Sequence, residues 1–261
     1  MKDTLKPLHI LLPAVLTGLA GFGLRTAFYR VGFDQRGLLA RMHPLQLGCM
    51  LLVLVAAALC LLVLKKADLS CRPARFLHPL GRGLLAPVVC GGLMLHGWKL
   101  LVLVRQTLAV PDLLDILPLA RALLALAAGA AALIILWAAP RNEVMNLVCF
   151  SSFSLFFTLD MLCRYQLWSG NPQIQDYVLP VFACICFALC SYYRMAFLGQ
   201  IRSPRAHGFT SVMGLVLGLI CAAGPDTPAF YLAGAAWCAV GILGNPAAGT
   251  GVPDPNEEEA E

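Results

Sequence analysis

Apolar stretches long enough to cross a bilayer follow one another from Leu8 almost to the C-terminus, and this pattern leaves few folds open to the chain. Each stretch is continuous, whereas the strands of a membrane β-barrel alternate apolar and polar residues. A helix needs about 20 residues to cross about 30 Å of hydrocarbon. Composition agrees: 59% of residues are hydrophobic, 13% are charged and the mean hydropathy is +0.78, far from the usual soluble domain. The expected fold class is all-α, a polytopic transmembrane helical bundle of about eight spans.

The expected spans are 8–29, 44–64, 83–104, 119–139, 144–163, 177–198, 207–223 and 228–243. Gly224, Pro225, Asp226, Thr227 and Pro228 break the last pair apart, because two prolines so close forbid one continuous helix. The last two spans are short, which also admits a re-entrant pair. Lys2 and Lys6 before an apolar run, with Gly18-Leu19-Ala20 behind it, imitate a secretory signal. The apolar character continues to Leu24, so an uncleaved first helix is expected. The domain organisation is then a transmembrane domain over 1–243 and a tail over 244–261. That tail is rich in Gly, Pro and Ala and ends in Glu257, Glu258, Glu259 and Glu261, the composition of a solvated, disordered segment.

Orientation follows from Lys and Arg near the span ends. With the N-terminus inside, ten basic residues fall on the cytoplasmic side and eight on the other. Tyr29, Trp98, Tyr165, Trp168 and Tyr177 then gather at the outer interface, and Trp137, Tyr192 and Tyr193 at the inner one. Both termini are expected in the cytoplasm.

Charged residues avoid the span midpoints, where a charge costs at least about 2.5–3.5 kcal/mol, and this argues against a pump built on a midplane carboxylate. Arg194 lies close enough to a helix end to snorkel. Polar groups collect instead toward the outer side. His96 and Lys99 are i, i+3; Asp160 and Arg164 are i, i+4; Arg25 and Arg121 lie at a similar depth. Two readings follow: a local Asp160–Arg164 ion pair with Lys99 snorkelling, or six residues lining a basic, outward-opening vestibule. The vestibule would receive a small anionic ligand or a lipid headgroup. The net charge of +5 carries no pattern that points to nucleic acid.

Ten of the eleven cysteines lie within spans, with Cys71 in a loop. Buried thiols act as small apolar fillers; Cys186 and Cys190, at i, i+4, have no neighbouring His or carboxylate to complete a metal site, so neither metal nor cofactor is expected. The HExxH, GxSxG and GxxxxGK[ST] motifs are absent. Ser151, Ser152 and Ser154 have no histidine nearby in sequence and are expected to bond back to their own helix. His43-Pro44 suits a helix start, and Asp34-Gln35-Arg36-Gly37 suits a turn before it. Arg36-Gly37-Leu38-Leu39-Ala40 recurs as Arg82-Gly83-Leu84-Leu85-Ala86, but His43-Pro44-Leu45 and His78-Pro79-Leu80 stand in reversed order, so no internal repeat is assigned.

Leu24-Arg25, Tyr29, Gly32-Phe33-Asp34, Gly37-Leu38, His43-Pro44, the run from Asp160 to Tyr165 and Tyr192-Tyr193-Arg194 together resemble a group of uncharacterised multi-span membrane proteins of Gram-positive anaerobic bacteria. The resemblance implies a bacterial plasma membrane and no particular activity. The function expected is transport or solute binding, since Gly214, Gly218 and Ala222 allow close helix packing and polar groups gather at one mouth. The alternative is a non-catalytic accessory or scaffold subunit with a membrane-protein partner.

Overall fold

The computed structural model describes residues 7–32, 43–66, 81–107, 116–138, 142–169, 177–198, 203–224 and 227–243. The expected turn at 34–37, Cys71 and the acidic tail lie outside them. The described residues form an all-α bundle of eight helices: α1 (Pro7–Val31), α2 (Pro44–Lys66), α3 (Ala86–Thr107), α4 (Ile116–Leu133), α5 (Glu143–Ser169), α6 (Val178–Leu198), α7 (Pro204–Cys221) and α8 (Pro228–Leu243). The first six are long and apolar enough to cross a membrane.

Prolines set several boundaries. Pro44 opens α2, where its missing N–H is not needed, and His43 Nδ1 accepts the Leu45 N–H at 3.3 Å. Pro87 has no N–H for the carbonyl of Gly83, and the chain enters α3 through a π-helical turn over Gly81–Leu85. At its other end α4 leaves through a π turn over Ile134–Ala138. The fifth helix passes the expected end at 163 and runs to Ser169; no Gly or Pro interrupts it before Gly170, and its Asp160–Arg164 pair stabilises the turn.

The two closing helices form the centre of the molecule. At 1.5 Å per residue they span only about 27 and 24 Å. Their surroundings explain why this suffices: α7 is buried from Thr210 to Cys221 except at Leu219, and α8 from Phe230 to Leu243 except at Leu232. α7 packs on α8, α6, α1 and α2, and α8 on α7, α3, α6 and α1, while α4 bridges α3 and α5. Missing side chains permit the close approach. A Cβ on Gly218 would stand 2.9 Å from that of Ala235, and one on Gly234 would stand 2.3 Å from the Phe187 ring.

Large aromatics fill the space left over. Phe153 stacks on Trp237 with centroids 4.0 Å apart, and Phe156, Phe157, Phe187 and Phe230 continue the cluster between α5, α6 and α8. Leucines that a soluble protein would hide, including Leu51, Leu54, Leu59 and Leu62 of α2, are exposed. They are the lipid-facing surface of a multi-pass membrane protein.

Candidate functional site

The site grows from α5, where Asp160 and Arg164 stand one turn apart on the face turned to the bundle interior. Asp160 is fully buried. Its Oδ1 accepts Nε–H of Arg121 from α4 at 2.5 Å and lies 3.2 Å from Nε2 of His96 on α3; its Oδ2 accepts Nε–H of Arg164 at 2.5 Å. One carboxylate therefore ties three helices together. With its proton on Nε2, a neutral His96 donates to Asp160, so the pairing needs no charge on the imidazole.

Arg164 continues the network into α8. Its Nη1 donates to Thr227 Oγ1 at 2.9 Å, and its guanidinium lies over the rings of Phe230 at 4.5 Å and Tyr231 at 5.4 Å. Its Nη2 is buried without a hydrogen-bond partner. Two guanidiniums share one carboxylate, which leaves one positive charge in excess within this group. A buried donor left unmade costs about 1–3 kcal/mol, more on a charged group.

The structure thus brings His96, Arg121, Asp160 and Arg164 to one point, so that Asp160 anchors a three-helix network instead of a pair local to α5. Arg25 lies at the same end of the bundle but against α7: its guanidinium donates to Tyr29 Oη at 3.1 and 3.3 Å and to Cys221 Sγ at 3.5 Å. Arg25 accordingly meets the end of α7 at Cys221, and Arg164 meets Thr227 just before α8. Lys99 is exposed on α3, whereas His96 is buried.

Two further expectations meet the structure. Ser151 and Ser152 donate to the carbonyl of Val148 in their own helix, whereas Ser154 reaches across to the carbonyl of Ala188 on α6. Arg194 does not snorkel. It is buried, with its guanidinium 4.7 Å from the centre of the Trp237 ring, because cation–π contact inside the bundle replaces water. Sequence reasoning also missed Thr227 and the aromatic floor beneath Arg164. The signal was faint: Thr227 and Tyr231 are i, i+4 at the start of a helix.

No family model, curated protein or solved structure matches this chain.

Proposed function

We infer that this multi-pass membrane protein binds or transports a small anionic solute, received at the end of the bundle that holds Asp160. The observation that carries the reading is the buried, partnerless Nη2 of Arg164 beside a carboxylate already shared by two guanidiniums. A bound carboxylate, phosphate or phospholipid headgroup supplies both the missing acceptor and the missing charge. Arg121, the least enclosed member with 11% of its side chain exposed, lies on the approach. The host membrane in this reading is a bacterial plasma membrane, as the resemblance implies.

The test is urea unfolding in uncharged detergent at constant ionic strength, with acetate, phosphate, glycerophosphate and added phosphatidylglycerol as separate arms. A ligand at 100 times its Kd is expected to add about 2.7 kcal/mol, and Arg164→Gln to remove that gain. Stabilisation by phosphatidylglycerol alone identifies the lipid as the source. Equal unfolding curves in every arm would overturn the reading.

One observation favours the alternative of a non-catalytic accessory or scaffold subunit: both oxygens of Asp160 are already engaged, as a static clamp requires. Such a subunit needs a membrane-protein partner and responds to no anion.

We place both termini in the cytoplasm, on the basic-residue balance and the even number of helices. Reporter fusions after Pro140 and at Glu261 are both expected to score inside; a C-terminal fusion that scores outside removes either the orientation or the crossing by α8.

A further inference from the structure

His96 enters the charged network at Asp160 as a neutral group, and the binding of a singly charged anion makes no use of it. Its Nε2 lies 3.2 Å from Asp160 Oδ1, the oxygen that also accepts from Arg121. Its ring lies 4.9 Å from that of Phe230, the same ring that carries the Arg164 guanidinium at 4.5 Å. His96 of α3 and Arg164 of α5 are thus held against one carboxylate and one aromatic ring. With Nε2–H donated to Asp160, the lone pair of the imidazole is on Nδ1, where a proton adds without breaking that hydrogen bond.

Charge decides what the group can hold. Arg121 and Arg164 outweigh Asp160 by one, so a singly charged anion neutralises the network while His96 stays neutral. A doubly charged anion leaves one negative charge over, which is costly away from water. A proton removes that cost, and the neighbours of His96 limit where it can go. On its own helix Lys99 is exposed; α4 presents Arg121, α5 presents Asp160 and Arg164, and α8 presents Tyr231 against Arg164. The guanidiniums already carry their protons, and a phenol can only lose one. Protonation of Asp160 would strip two guanidiniums of their shared counter-charge. The imidazole remains, and its charged form keeps its contact with Asp160.

We propose that His96 couples the site to protons: a doubly charged oxyanion binds together with one proton taken up on His96, and a singly charged oxyanion binds without one. This coupling rests on the anion-binding reading of the Asp160 end and extends it to the charge of the solute. The proton comes from the surrounding water and forms an imidazolium, so the filled network is neutral with either anion. Either solute then brings the same net charge into the site.

Sulfate and methanesulfonate test the coupling, because both are tetrahedral oxyanions, they differ by one charge and neither titrates near neutral pH. Each is added to the full chain in lightly buffered uncharged detergent with a pH indicator at constant ionic strength, and urea unfolding alongside reports whether it binds. Sulfate is expected to take up about one proton per bound anion and methanesulfonate none. Across the neutral range the apparent Kd for sulfate is expected to rise about 10-fold per pH unit, and that for methanesulfonate to stay level. His96→Gln keeps an N–H for Asp160 but offers no site for a proton, and is expected to abolish both the uptake and the pH dependence. If that variant fails to fold, nitrogen NMR of the histidine-labelled chain decides: sulfate should turn one of the five imidazoles into an imidazolium. The coupling is overturned, with the anion site left standing, if sulfate binds without a proton, if sulfate fails to bind where methanesulfonate does, or if uptake survives in His96→Gln. If neither anion stabilises the chain, the anion site and the coupling fall together.

Discussion

Asp160→Ala is expected to destabilise the bundle by about 3–5 kcal/mol, because removing one partner of a buried ion pair leaves its counterpart without compensation. Here there are two counterparts. Arg121 and Arg164 both direct Nε at Asp160, and His96 loses the acceptor of its hydrogen bond as well. The loss should therefore fall toward the upper end of that range. Asp160→Asn, which keeps the volume but not the charge, should recover only part of it. A combined Asp160→Leu, Arg164→Leu variant should be more stable than Asp160→Ala alone, since an apolar replacement removes the uncompensated charge along with its partner. Urea titration in uncharged detergent measures all three. A loss below about 1 kcal/mol for Asp160→Ala, the scale of an exposed pair, would show that the guanidiniums find water or another partner.

Trp237→Ala is expected to cost about 3–5 kcal/mol, the range for emptying the site of a large buried aromatic. Its ring is fully buried, stacks on Phe153 with an interplanar angle of 7° and carries the guanidinium of Arg194 on its face. Trp237→Phe keeps a ring in the stack but loses the Nε1–H bond to Ser191 Oγ at 2.9 Å. That change should cost about 1–2 kcal/mol less than a full truncation. Equal losses for the two variants would mean that the hydrogen bond, and not the aromatic stack, secures this part of the core.

The bundle itself was legible in the sequence because the bilayer imposes one pattern on every span. A helix must satisfy all its backbone groups internally, so length and continuous apolarity identify it whatever it packs against. Depth is legible for the same reason, and it placed His96, Arg121, Asp160 and Arg164 in one layer. Depth does not give azimuth. Lys99 shares that layer but is exposed, and Arg25 turns to Tyr29 and Cys221 instead of Asp160. On helices that are apolar all round, no hydrophobic stripe marks the inner face.

The central position of α7 and α8 was equally hidden. Their shortness reads from sequence as doubt about crossing, whereas in the folded chain it reflects enclosure by other helices. Gly214, Gly218 and Ala222 announced close packing without naming the partner. Arg194 shows the same limit from another direction. Its place near a helix end suggested an escape to water, and only the position of Trp237 on α8 shows that the charge stays inside.

The excess positive charge around Asp160 calls for a bound anion, and equilibrium binding of labelled phosphate or glycerophosphate to the purified chain, in bilayers of uncharged lipid, tests this most directly. Saturable binding at one site per chain is expected, lost in Arg164→Gln and kept in Lys99→Leu. Absence of saturable binding by the unmodified chain, or binding that Arg164→Gln leaves unchanged, would contradict it and leave Asp160 as a structural clamp.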